Sequence, residues 1–134
     1  MATLIAHSAE ASTVRFAKQL AETLGDHRGV TTATEDFSRA GRYVDSVEAV
    51  VVVAPAGEPH FHRGARNFMA AHYADFAGKS LFIAALGTKD QLSTSELTAM
   101  DAFSPRDTAY FRTDDLDETA LTEWVTLITT RGAA

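Results

Sequence analysis

Apolar and polar positions divide this chain into short apolar runs and longer segments in which apolar residues recur every three or four positions. The apolar runs predict five β-strands, because buried strands are short and rich in β-branched residues. These strands are expected over residues 3–7, 30–34, 49–54, 80–86 and 108–112. The helical pattern predicts α-helices over residues 12–24, 63–73, 93–103 and 117–130, with a turn or short helix over residues 41–46.

The alternation of strands and helices predicts an α/β fold with a parallel, doubly wound sheet. The polar second strand suits a sheet edge, and the four consecutive valines of the third strand indicate burial on both faces. We therefore predict a three-layer sandwich with the strand order 2-1-3-4-5, whose ligand crevice lies at the carboxyl ends of the strands. We expect residues 1–131 to form a single domain, and residues 132–134 to be a frayed tail. Loops at residues 7–13, 55–62 and 87–92 would meet at the crevice.

Composition narrows the classes of partner. The 134 residues are 46% hydrophobic and 22% charged, which is ordinary for a globular domain, and the net charge is −6. The acidic balance argues against nucleic-acid binding, which depends on clustered basic residues. No cysteine is present, and the longest apolar run is too short to cross a membrane. Strand residues begin at the third position and leave no room for a signal peptide, so we expect a cytoplasmic protein without a membrane partner.

The loop after the first predicted strand has the organisation of a phosphate-binding loop. A strand, a loop of small and hydroxyl residues and a helix N-terminus follow one another, with hydroxyls at Ser8, Ser12 and Thr13. The loop has no glycine or basic residue, and it carries Glu10 where an anion would lie. Two interpretations of Glu10 stay open: its carboxylate repels a bound phosphate, or it points into solvent and caps the helix.

Histidines are also expected near the crevice, at positions 7, 60 and 62, with Glu10 and Glu58 nearby. Such a cluster could bind a divalent metal, but it has no tight ligand spacing, and we predict no metal site. We expect His62 to cap the following helix or to hydrogen-bond a ligand. The sequence assigns no catalytic residue, because it contains no nucleophile-elbow, dinucleotide-binding or Walker pattern.

The same segments resemble the flavodoxin family, and most closely the branch of flavodoxin-like, FMN-dependent protoporphyrinogen oxidases. The family's phosphate loop, S/T-x-T-G-x-T, aligns with residues 8–13, where Ala11 replaces glycine and Glu10 replaces a neutral donor, so the loop is a degenerate form. The residues that carry the resemblance are 45–55, His60, Phe61, His62, 65–68, His72, 109–112, Leu116 and Asp117.

The resemblance implies a flavodoxin fold, an FMN cofactor and an electron-transfer or oxidoreductase role. It assigns the phosphate to Ser8, Glu10, Ser12 and Thr13, and the flavin ring to the loops carrying Ala56, Gly57, Phe61, Gly87 and Thr88. Phe61 would stack on a flat ring or, alternatively, pack inward as a loop anchor.

Two functions follow as hypotheses. The first is a flavoprotein that binds FMN, exchanges electrons with a redox partner protein and, if it is an enzyme, is an FMN-dependent oxidoreductase. The second is a cofactor-free module of the same fold that binds a flat-ring small molecule or a protein at the same crevice.

Overall fold

Five strands and five α-helices alternate along the part of the chain that the structure, a computed structural model, describes, namely residues 1–57 and 60–132. The strands are β1 (Ala2–His7), β2 (Thr31–Asp36), β3 (Ala49–Pro55), β4 (Ser80–Gly87) and β5 (Asp107–Arg112). The α-helices are α1 (Ala11–Gly25), α2 (Phe37–Ala40), α3 (Arg63–Ala71), α4 (Thr94–Asp101) and α5 (Glu118–Gly132). Two 3-10 helices cover Gly41–Ser46 and Tyr73–Phe76.

The strands form one parallel sheet in the order β2-β1-β3-β4-β5, which confirms the predicted fold class. In the registers, Leu4 of β1 lies beside Ala33 of β2 on one side and Val50 of β3 on the other. The two strands with the most continuous apolar runs, β3 and β4, are neighbours. Because the strand order reverses between β1 and β3, the loops that follow these strands diverge and leave a crevice at the carboxyl edge.

Two apolar layers cover the faces of the sheet, because successive side chains of a strand point in opposite directions. Val50 and Val52 lie in the layer that contains α3 and α4, whereas Val51 and Val53 lie in the layer that contains α1 and α5. The four valines are fully buried. The prediction of a strand covered on both faces is therefore confirmed.

Local details differ from the predictions at several places, among them α4, which ends at Asp101 and not at the predicted residue 103. Helix α2 was not predicted; it has four residues and begins where the Asp36 carboxylate accepts a hydrogen bond from Ser38 N–H. Helix α3 ends at Ala71, short of the predicted residue 73, because His72 leaves the helical conformation. Helix α5 includes Gly132, which we expected in a frayed tail, while residues 133–134 lie outside the described part of the chain.

Gly132 is buried because it packs closely on the other end of the chain. A Cβ at this position would lie 2.8 Å from the Met1 sulfur and 3.6 Å from the Ala49 Cβ. The contact holds the last turn of α5 against the sheet. None of the described helices is both long and apolar enough to span a membrane.

Candidate functional site

The loop between β1 and α1 presents the N-terminal end of a helix at the carboxyl edge of the sheet. Ser8 N–H donates to Val53 O at 3.2 Å, which holds the loop against β3. The N–H of Val14 donates to Glu10 O at 3.0 Å, so the N–H groups of the preceding helical residues point out of the helix end. The buried Thr13 hydroxyl has no hydrogen-bond partner among the described residues. Unused donors therefore remain in this loop.

The Glu10 side chain is turned back onto its own loop. One carboxylate oxygen accepts a hydrogen bond from the Ser8 hydroxyl, and the other lies 3.3 Å from Nε2 of His62. Glu10 occupies the N-cap position of α1, but its side chain makes no capping hydrogen bond. The interpretation of Glu10 as a helix cap is therefore wrong. Its side chain is 48% exposed, so water screens the carboxylate only on its outer side.

His62 joins the first loop to helix α3. Its Nδ1 accepts a hydrogen bond from Ala65 N–H at 3.2 Å, so His62 caps α3 as the sequence predicts. Because Nδ1 is an acceptor, the neutral ring carries its proton on Nε2, the atom that faces Glu10. Partial burial raises the pKa of Glu10, but hydrogen bonds from Ser8 and His62 and the charge of protonated His62 outweigh it, and this pKa lies below its ordinary value. Glu10 is thus an anion at neutral pH.

A cleft of about 300 Å³ opens between the loops that follow β3 and β4. It brings together five of the nine predicted site residues, which are Ser12, Ala56, Gly57, Gly87 and Thr88. The remaining lining residues are Pro55, Leu86, Lys89, Gln91, Glu96, Tyr110 and Thr113. The lining is a mixture of apolar side chains and polar groups, which is typical of a small-molecule site.

The loops on either side of the cleft are fixed by short contacts. Ala56 N–H donates to Leu86 O at 2.6 Å, and the Tyr110 hydroxyl donates to Lys89 O at 2.9 Å. A Cβ at Gly87 would lie 2.5 Å from the Tyr110 hydroxyl oxygen, so a larger residue here would force the Tyr110 side chain to shift. The end of β5 thereby shapes the cleft wall.

Glu96 is a buried carboxylate on the cleft wall. Together with Ser93 it forms the capping box of α4, and its second oxygen accepts a hydrogen bond from Gly57 N–H at 3.0 Å. Burial raises the pKa of Glu96, but the hydrogen bonds from Gly57 and Ser93 and the charge of Lys89 outweigh it, and this pKa lies below its ordinary value. Glu96 therefore ties the loop after β3 to the helix that follows β4.

Phe61 does not line the cleft, and the prediction that it stacks on a ligand is wrong for this conformation. Its side chain is fully buried in the layer formed with α3, because the backbone at His60 and Phe61 adopts positive φ angles of 61° and 76°. The alternative that Phe61 packs inward is the one found. The aromatic residue at the cleft is Tyr110. The adjacency of β4 and β5 in the predicted sheet could have revealed it.

The family model of the flavodoxin domain matches residues 3–122. This chain belongs to the flavodoxin-domain family. The branch of protoporphyrinogen oxidases is a finer assignment that this match does not test. No curated protein sequence matches the chain.

Solved flavodoxin structures share the fold at low sequence identity. A short-chain flavodoxin associated with a PDU bacterial microcompartment is 13% identical, with a TM-score of 0.72, covering 98% of this chain and 99% of that one. Flavodoxin from Fusobacterium nucleatum bound to flavin mononucleotide is 11% identical, with a TM-score of 0.70 and 98% coverage of both chains. An NADH:FMN oxidoreductase in its apo form is 10% identical, with a TM-score of 0.70, covering 93% of this chain and 86% of that one. At these identities the likeness shows the fold alone.

The two parts of this flavodoxin-domain site differ in how well they fit FMN. The cleft has the concavity and the mixed lining that a flavin ring needs. The first loop has helix N–H groups and the unused Thr13 hydroxyl, but its Ser8 hydroxyl is bonded to the Glu10 anion. Arg112, at the end of β5, is paired with Asp90 and Asp114 at 3.1 and 2.9 Å. With Glu10 in this position, the loop does not fit a phosphate dianion.

The described histidines and carboxylates do not form a candidate metal site. Among residues 1–57 and 60–132, no group of three or more such side chains is placed to hold a metal ion. Glu58, which we expected near these histidines, and Pro59 lie outside the described residues. His7 is buried, with Nδ1 lying 2.8 Å from Ser8 O.

Proposed function

We propose that this flavodoxin-domain protein binds a flavin in the cleft between the loops after β3 and β4 and takes part in electron transfer. The observation that carries the proposal is the cleft itself, at the carboxyl edge of a sheet with the strand order 2-1-3-4-5. FMN is the flavin bound to the similar flavodoxin from Fusobacterium nucleatum. A flavin, when bound, supplies the electron-transfer chemistry, and the protein supplies position and electrostatics.

The residues of this chain would act mainly by shape and backbone polarity. Gly57 and Gly87 keep the two sides of the cleft free of side chains, and a side chain at Gly87 would displace Tyr110. The Glu96 carboxylate, which holds Gly57 N–H, places a negative charge at the cleft wall. A fixed negative charge disfavours added negative charge on a nearby ring, so Glu96 would oppose formation of an anionic reduced flavin.

The likeness to the FMN-dependent protoporphyrinogen oxidase branch remains a finer proposal about this protein. It depends on the segment that carries His60, Phe61 and His62 and on Phe68 in α3. In the structure Phe61 and Phe68 pack in the core and His62 caps α3, so these residues contribute to the fold and leave the oxidase activity without a catalytic residue of its own. Reduction of a bound flavin by a redox partner is therefore the more direct proposal than oxidation of a porphyrinogen.

A cofactor-free binding module of the same fold is the second candidate. It is favoured by one observation, which is that Glu10 and Ser8 already satisfy each other at the position where flavodoxins hold a phosphate. The colour of the protein purified under non-denaturing conditions distinguishes the two candidate functions. We expect a yellow protein with flavin absorbance, or one that regains it on addition of flavin; a colourless protein that binds no added flavin would support the module.

The cleft can be tested by filling it. We expect Ala56→Phe, which adds a ring at the cleft wall, to weaken flavin binding at least tenfold in a fluorescence-quenching titration. Ala74→Phe is the matched control, because Ala74 belongs to the Tyr73–Phe76 helix and lines a different groove from the proposed flavin cleft. Equal flavin affinities for Ala56→Phe and the unmodified protein, with unchanged melting temperatures, would show that flavin does not enter this cleft.

A further inference from the structure

The carboxylate of Glu10 lies on the loop that precedes α1, bonded to Ser8 and His62 and not to the helix N–H groups. One of its oxygens accepts a hydrogen bond from the Ser8 hydroxyl, a donor of the predicted phosphate loop, and the other contacts His62. Ser8 is 4% exposed, so its hydroxyl has little access to water as a replacement partner. Moving Glu10 aside would break both contacts, and the buried Ser8 hydroxyl would then need a new hydrogen-bond acceptor.

The charge of Glu10 acts differently on ligands with and without a phosphate. A phosphate monoester carries a charge near −2 at neutral pH. At about 5 Å in a medium as polar as bulk water, one carboxylate repels such a dianion enough to weaken binding about 15-fold, and more where the local dielectric is lower. A ligand that ends in neutral hydroxyl groups experiences no such repulsion.

Three of the basic residues around the loop do not offset Glu10. Arg112 is engaged by Asp90 and Asp114. Arg15 is an exposed residue of α1 and lines a separate depression beside Ser12. His62 is already turned toward Glu10. These three side chains therefore leave the negative charge of Glu10 on the loop.

Donors for a neutral ligand are nevertheless present. The Thr13 hydroxyl is fully buried without a partner among the described residues, and the N–H groups at the start of α1 point out of the helix. The helix N–H groups can donate to the hydroxyl oxygens of a ribityl chain without meeting the electrostatic penalty of a dianion.

We propose that Glu10 is a specificity-determining residue that makes this site select riboflavin, the flavin without a terminal phosphate, over FMN. The inference rests on the proposed flavin-binding function, and it names which flavin the site prefers. It assigns the preference to one carboxylate on the first loop, independently of how the ring is held in the cleft.

The test is a pair of titrations, with riboflavin and with FMN, on the unmodified protein and on two isosteric variants at low ionic strength. We expect the unmodified protein to bind riboflavin more tightly than FMN. Glu10→Gln should tighten FMN binding about tenfold while changing riboflavin binding less than twofold, and added salt should shrink the FMN gain because it screens charge. Glu22→Gln is the matched control, with the same charge change about 18 Å further along α1.

Four outcomes would overturn the inference. They are FMN binding as tight as riboflavin binding in the unmodified protein, equal gains for both flavins in Glu10→Gln, no gain for FMN in a correctly folded Glu10→Gln, and the same gain in Glu22→Gln. Glu10→Thr provides a second variant, and near-equal melting temperatures show that the variants fold. Tighter binding of FMN than of riboflavin would refute the inference and leave the proposed function standing. Failure to bind either flavin would refute both.

Discussion

Phe61 offers a sharp test of the structure, because its two sequence interpretations predict opposite results. Its ring is fully buried in the layer between the sheet and α3, although the chain reaches it through two residues with positive φ. Truncation of a buried Phe to Ala removes apolar contacts and leaves a cavity, which costs about 3–5 kcal/mol. Since domains of this size have total stabilities of about 5–15 kcal/mol, Phe61→Ala should remove a large fraction of the free energy of unfolding.

The measurement is urea unfolding of the flavin-free protein, followed by the fluorescence of Trp124. This residue is the single tryptophan of the chain, it is 6% exposed, and its indole N–H donates to Asp107 at 2.7 Å. At about 3–5 °C per kcal/mol for a domain of this length, the melting temperature should fall by about 10–20 °C. Phe61→Leu keeps most of the volume and should cost less than about 1.5 kcal/mol.

Tyr73→Ala is the control for loss of an aromatic side chain. Because Tyr73 is 50% exposed, this change should lower the free energy of unfolding by less than about 1 kcal/mol. The reasoning fails if Phe61→Ala unfolds with nearly the free energy of the unmodified protein. Weaker flavin binding with unchanged stability would return Phe61 to the ligand site.

Three further predictions follow from the cleft and its carboxylates. Gly87→Ala should destabilise the protein by about 1–3 kcal/mol because its Cβ meets the Tyr110 hydroxyl, and the loss should shrink in a Tyr110→Phe background, measured as a double-mutant cycle. Glu96→Ala should cost about 1–3 kcal/mol by urea unfolding, because Gly57 N–H and the Ser93 cap lose their acceptor, and Glu96→Gln should cost less. The pKa values of Glu10 and Glu96 lie below their ordinary 4.5, so their contribution to stability is present above pH 4.5 and declines as the pH falls through the folded-state values. A pH titration of unfolding should show a smaller decline in Glu96→Gln than in the unmodified protein, and equal declines would contradict the hydrogen-bonded state of Glu96.

The framework of this fold could be predicted from local pattern because each element carries its own evidence. The valine run of β3 is buried on both faces as its sequence indicates, and Ser93 with Glu96 forms a capping box close to the predicted start of that helix, residue 93. His62 caps α3 for the same reason, since a cap depends on neighbours within one helical turn. Predicted strand ends and observed ones agree to within two residues, because short apolar runs with polar flanks have few other arrangements in a parallel sheet.

The site could be predicted only as far as the loops that form it. The sequence placed the residues of three loops at one edge, but it could not fix which side chains point into the cleft. Phe61 turned inward because its backbone takes a positive φ, which no local pattern indicates for phenylalanine. Tyr110 reaches the cleft from β5, a strand that sequence reasoning used for topology and not for the site.

Glu10 shows why counting donors in a loop does not give the charge of its ligand. The sequence reports three hydroxyls in the first loop, yet the structure uses one of them, that of Ser8, to hold a carboxylate two residues away. The other contact of that carboxylate comes from His62, 52 positions along the chain, so the arrangement exists only once β1, β3 and α3 are packed together. An anion-binding loop can thus keep its backbone geometry and most of its hydroxyls while its net charge reverses. On the proposed function, the preference between a phosphorylated and an unphosphorylated ligand depends on this internal pairing, and we therefore expect Glu10→Gln to discriminate the two flavins where a change in the loop backbone would affect both.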